Sequence, residues 1–140
     1  KIKIIYNKFD KIYLKKLKNK IKKNNINNIL LLFETDIDLK KEINDSWLLI
    51  NTSITEVAPL SLIEGNSLNK IFASYNVGNL ISFKGNIINN NTEQMIFNLK
   101  SLNSNTFFKK KFEEISFNNF RKNFTKNNCK ESFANLINKI

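Results

Sequence analysis

The sequence predicts an α+β fold, and three observations carry that expectation. The chain opens on an alternating stretch, KIKIIYN. A lysine-rich amphipathic segment follows it. Further β-branched or leucine-rich runs are then separated by clusters of Asn, Gly and Pro, where turns belong.

In KIKIIYN, residues 1–7, Lys and Ile alternate as in a half-buried strand. Asp10 is placed to cap a helix on which Tyr13, Leu14, Leu17 and Ile21 recur at helical spacing, with lysines on the other face. That helix should end in the Asn-rich run at 24–28. ILLLF, residues 29–33, reads as a buried strand, and WLLINTSITEV, residues 47–57, as another that Pro59 ends. Residues 60–78 favour no element. NLISFKGNII, 79–88, reads as a strand with Gly85 in a bulge or bend. Residues 89–92 read as a loop and MIFNLKS, 95–101, as a strand. Thr106 can cap a short helix through Glu113. EISFNNFRKNF, 114–124, stands where a further strand is expected, though Phe117, Phe120 and Phe124 would also suit a helix. From about 126 a last helix lines up Cys129, Phe133, Leu136, Ile137 and Ile140 on one face.

The chain has 140 residues, enough for one domain with an insertion, and a formal charge of +11 from 23 basic and 12 acidic residues. The positive charge lies at the two ends: residues 1–23 carry ten Lys and one Asp, and residues 106–140 eight basic residues and three acids. Such a balance favours a polyanionic partner, whether RNA, DNA or an anionic membrane surface. Abundant Asn, Lys, Ile and Phe match the codon bias of an AT-rich genome, which weakens any compositional signal. The single Cys129 excludes an internal disulfide, and the absence of histidine removes the usual general base and metal ligand. The longest apolar run, 29–33, is too short to span a bilayer. No signal-peptide pattern opens the chain, and Lys1 is not an initiator Met, so an N-terminal piece can precede it.

The order strand, basic helix, strand, strand, helix is that of a ferredoxin-like βαββα(β) sheet lacking its last strand. The residues also resemble the small-subunit ribosomal protein ten family. Its opening block is matched by KIKIIYNKFDKIYLKKLKNKI, with Phe9-Asp10, Leu14 and Lys20-Ile21 in register. Its hairpin block is matched by GNIINNNTEQMIFNLKSLNSNTFFKKKFE, residues 85–113, through Gly85, Ile87, Leu99, Lys100-Ser101 and Phe112-Glu113. A third block begins at Thr125 and runs through Phe133 and Leu136. The likeness covers 1–24 and 79–140 and leaves 25–78 as a lineage-specific insertion, with Trp47 in its core. It departs where the family's hairpin prolines are Asn86, Ile88 and Asn90, and where its Pro-His pair is Leu102-Asn103.

The resemblance implies a structural, non-catalytic protein of the small-subunit head, without cofactor, small-molecule substrate or membrane. Ribosomal RNA would be its partner, with small-subunit proteins three, nine and fourteen as neighbours. AT bias and the insertion point to a mitochondrial ribosome, with another organelle or an AT-rich bacterial cytoplasm as alternatives. A long hairpin over 86–106 would enter RNA through Asn86, Asn89, Asn90, Lys100, Ser101, Asn103 and Asn105. Lys109, Lys110 and Lys111 would hold phosphates at its base, and Phe107, Phe108 and Phe112 would anchor it. Lys15, Lys16, Lys18, Lys20, Lys22 and Lys23 form a second candidate surface.

Two other readings stand beside this one. One is a non-ribosomal RNA- or DNA-binding module. The other is a metal-dependent nucleotide-sugar transferase that holds its cation through Asp36 and Asp38. The plainer account of those two acids is the start of a short helix over 39–44.

Overall fold

The structure, a computed structural model, describes residues 2–6, 11–33, 36–57 and 59–137. Among these are six α-helices and five strands, the strands forming two small parallel sheets. The mixture of helix and sheet is the class the sequence predicts, but it does not single out the ferredoxin-like arrangement. The chain divides into two compact units, Lys1–Glu42 and Ile43–Ile140.

In the first unit, β1 (Ile2–Tyr6) and β2 (Ile29–Phe33) pair in parallel, Ile2 opposite Ile29 and Tyr6 opposite Phe33. Parallel neighbours need a crossover, and α1 (Lys11–Lys23) supplies it. Leu14, Leu17 and Ile21 are its half-buried positions, while Tyr13 is exposed. The helix stops in the Asn run as expected. Asn25 takes a left-handed φ of 52°, its N–H donates to Lys22 O, and the Ile26 N–H donates to Ile21 O. That pair of bonds satisfies the last carbonyls of the helix. Asp10, expected as the opening cap, lies outside the described residues, as do Ile140 and the side chains of Phe133 and Leu136.

After α2 (Leu39–Asn44), the second unit is built on a sheet of β3 (Leu49–Asn51), β4 (Phe72–Tyr75) and β5 (Ile87–Asn89), in that order and all parallel. Helix α3 (Leu60–Ser67) joins β3 to β4, a 3-10 turn at Leu80–Ser82 lies between β4 and β5, and α4 (Thr92–Ser104), α5 (Thr106–Asn123) and α6 (Lys126–Ile137) follow. A parallel sheet is stable when both faces are covered. Along β4, Phe72 joins Leu62, Leu80 and Phe83 on one face, and Ile71 and Ala73 join Ile87 and Leu102 on the other. Phe112 packs on the second cluster and Phe124 on the first, so α5 serves both. Phe83 stacks on Phe124 with centroids 4.5 Å apart.

Several expectations are corrected here. The strand expected over 47–57 pairs only at 49–51. Residues 60–78 become α3 and β4. The stretch 79–88 is mostly a 3-10 turn and a bend before β5. Most consequentially, 95–101 is helix, so no hairpin forms over 86–106: β5 and α4 occupy it. Met95 and Leu102 are buried, and Leu99 is half-buried, along one helical face. The helix starts where Asn91 Oδ1 accepts from the Gln94 N–H, while Gln94 Oε1 accepts from the Asn90 N–H. The α5 cap is Asn105 rather than Thr106, and the helix runs on to Asn123. Within segment 25–78, 29–33 pairs with β1, and 49–51 and 72–75 share a sheet with 87–89. Trp47 is half exposed with Lys109 Nζ 5.6 Å from its ring centroid, and Cys129 is exposed; neither is core.

Candidate functional site

Every strand of the second unit ends on a polar residue, and polar loops follow each: Asn51-Thr52-Ser53, Tyr75-Asn76 and Asn89-Asn90-Asn91-Thr92. Because β3, β4 and β5 run parallel, these ends share one edge of the sheet. In open parallel α/β sheets, ligands bind outside this carboxyl edge, in the crevice where the strand order reverses; the described order β3-β4-β5 does not reverse, so here the loops alone shape the edge.

A buried polar chain fixes the edge from beneath. Asn51 Nδ2 donates to Ser74 Oγ (3.3 Å), Asn89 Nδ2 to Ser74 O (3.0 Å), and Asn98 Nδ2 to Asn89 Oδ1 (2.8 Å). Ser74 and Asn89 have no exposed surface. Buried polar groups need such partners, and a fully paired network holds one arrangement. Above it, Asn51 Oδ1 accepts from the Ser53 N–H, and Tyr75 OH shares a 2.9 Å hydrogen bond with Thr92 Oγ1.

The loop after β3 lies against the turn after β4. The Asn79 N–H donates to Val57 O, and Gly78 has φ +55°. A Cβ at Gly78 would stand 2.0 Å from Glu56 O, so only glycine admits this approach. Glu56 is half-buried beside that contact, and Ile54 and Val57 are each 83% exposed. Helix α3 begins over the same edge, because it runs back from the end of β3 to the start of β4. Pro59 is its N-cap and no side chain caps it. The first N–H groups of a helix lack intrahelical partners and carry partial positive charge. No lysine or arginine lies in 49–57 or 72–79.

Of the residues singled out from the sequence, Asn89 and Asn90 stand at this edge, and the others divide between α1 of the first unit and the rest of the second. Lys15, Lys16, Lys18, Lys20, Lys22 and Lys23 are all exposed on α1, which contains no acid. Asn89 is buried and its amide is taken up by the network, so it is corrected from an RNA contact to a structural residue. Asn86 is likewise internal: its Oδ1 accepts from the Phe72 N–H (2.9 Å) and from Asn66 Nδ2 (3.0 Å), and its Nδ2 donates to Asn66 Oδ1. Asn105 caps α5 by accepting from the Phe108 N–H. Asn90, Lys100, Ser101 and Asn103 are exposed, the last three on helix α4. Lys109 pairs with Glu113, whereas Lys110 and Lys111 are exposed. Phe112 packs inward as an anchor would, but Phe107 and Phe108 are exposed.

Asp38 behaves as a helix start, its Oδ1 accepting from the Lys41 N–H (3.1 Å). Among the described residues no cluster of three acidic or thiol side chains could hold a metal ion. The carboxyl edge, with Glu56, Tyr75 and Thr92, was missed from sequence. Its one signal was the repetition of Asn, Ser and Thr after each apolar run.

No family model matches the chain, and no curated protein matches it.

Proposed function

We propose that residues 43–140 form a small-molecule-binding α/β unit whose ligand is a hydroxyl-rich phosphorylated compound of the nucleoside or sugar-nucleotide class. The carrying observation is the three-stranded parallel sheet, covered on both faces, with open polar loops at its carboxyl edge. Glu56 would accept hydrogen bonds from ligand hydroxyls, as an acidic residue does at the ribose of a nucleotide. The uncapped start of α3 would face the phosphate. Ile54 and Val57 offer apolar cover for a base or sugar face. This keeps the substrate class of the transferase alternative and moves it from Asp36 and Asp38 to the sheet edge. The test is calorimetric titration with nucleoside diphosphates and their sugar conjugates. Binding should weaken about tenfold in Glu56→Gln, the order of one charged hydrogen bond. No heat with any of them, under conditions where the chain is folded, would remove this reading.

A second reading, RNA binding within a small ribosomal subunit, rests on the six exposed lysines of α1 with no acid among them. The segment through which the family resemblance routes RNA contact is a short strand and a helix here, so the exposed lysines, those of α1 foremost, carry the idea. Sedimentation of a native lysate, with the protein followed by mass spectrometry, tests it. Travel with the small subunit through a high-salt wash supports the ribosomal assignment, and recovery only at the top of the gradient opposes it.

A further inference from the structure

Helices α4 and α5 meet at Asn105, which ends one and caps the other. From Gln94 to Phe112 the chain has four lysines and no acid. Four large apolar side chains of this interval stand in solvent: Ile96 and Phe97 on α4, 49% and 69% exposed, and Phe107 and Phe108 on α5, 71% and 52% exposed. Their helical spacing places cations beside them. Lys100 is one turn on from Ile96 and Phe97, and Lys110 and Lys111 are one turn on from Phe107 and Phe108; all three lysines are exposed. Phe108 also lines a groove of about 300 Å³ with Asn98 and Ser101 of α4, so the two helices meet along these sides. The first acid on the exposed side of α5 is Glu114, two turns beyond Phe107.

Exposed aromatic and aliphatic side chains ringed by lysine are what a helix presents to a membrane interface, its apolar groups at the headgroup boundary and its cations among the phosphates. We propose that the α4–α5 corner is a peripheral docking surface for an anionic lipid bilayer. Ile96, Phe97, Phe107 and Phe108 enter the headgroup region, and Lys100, Lys110 and Lys111 lie on lipid phosphates. Charge complementarity selects this occupant. A second copy of the chain would set two acid-free lysine patches against each other. RNA would satisfy the lysines but not Ile96. The Phe107 and Phe108 rings are also tilted 59° to each other, so they form no flat platform or slot for stacked bases. No helix among the described residues is long and apolar enough to cross a membrane, so attachment here is at the surface.

The test is flotation of the full chain with vesicles of phosphatidylcholine alone and of phosphatidylcholine mixed with phosphatidylglycerol. Partition onto the anionic vesicles should exceed that onto neutral ones by about tenfold or more and fall as salt rises. Phe107→Ser with Phe108→Ser should reduce it about tenfold while the melting curve stays in place, because both side chains are exposed. Lys110→Glu with Lys111→Glu should reduce the preference for anionic lipid several-fold. The lysines of α1 are the internal control. If the phenylalanine pair can be replaced without loss, binding is α1 electrostatics and the proposal fails. It fails equally if neither vesicle is bound. It also fails if single-stranded RNA binds through Phe107 and Phe108 while vesicles do not, which would make the corner an RNA surface.

Discussion

Asn86 stands one residue before β5 and ties three segments together through its side chain. It holds the Phe72 amide of β4, the Asn66 amide of α3 and the Phe83 carbonyl. Truncation removes these partners from the Phe72 N–H, Asn66 Oδ1 and the Phe83 carbonyl, while Asn66 Nδ2 keeps its bond to Lys70 O. Asn86→Ala should therefore cost about 2–3 kcal/mol in denaturant unfolding with little change in m-value. Gly85, its neighbour, has φ +80°, and an added Cβ would stand 2.3 Å from Ser116 N. Gly85→Ala combines a left-handed backbone with a clash against the backbone of α5, and a loss of at least about 1–3 kcal/mol is expected. A melting temperature unchanged by either substitution would contradict the packing described. Gly85 is legible in the sequence as a bend, whereas Asn86 reads there as an RNA contact. The partners of Asn86 were not visible, because they come from positions 14 and 20 residues away.

At the scale of elements, Asn105 is the most informative position. It ends α4 and its Oδ1 starts α5. Asn105→Ala should cost about 1 kcal/mol and Asn105→Gly only a few tenths, read as shifts in unfolding midpoint. Equal losses from both would mean that the cap hydrogen bond contributes nothing. The same region shows why α4 was read as a strand. In MIFNLKS, Met95, Phe97 and Leu99 alternate as in a strand, while Met95, Leu99 and Leu102 also recur at helical spacing. Periodicity alone leaves the two equal, and the Asn91 cap, with Gln94 Oε1 accepting from the Asn90 N–H, decides for helix. β4 was missed for another reason. A strand buried on both faces need not alternate, and FASY is only four residues with a serine inside. By contrast α1 and β2 are legible from a lysine-flanked apolar stripe and a pure apolar run, and of the two readings open to Asp38 the helix start is the one its hydrogen bond fits.

At the scale of the whole molecule, charge and candidate site separate. The α1 lysines belong to Lys1–Glu42, and the polar sheet edge belongs to Ile43–Ile140. Replacing Lys15, Lys16, Lys22 and Lys23 by Glu should abolish the salt-dependent part of polyanion binding on α1 and leave ligand affinity at the sheet edge unchanged. Loss of both together would argue against two separate surfaces. Net charge was legible from composition, but the carboxyl edge was not. It exists only once three short strands lie parallel and bring residues 51–57, 75–79 and 89–92 together. The measurement that tests this account most directly is an amide NMR titration of the full chain with nucleoside diphosphates and sugar nucleotides. Saturable shifts concentrated at 51–57, 76–79 and 89–93, and lost in Glu56→Gln, are the predicted result. Shifts confined to α1, or none across the panel, would contradict it and return the polyanion reading to first place.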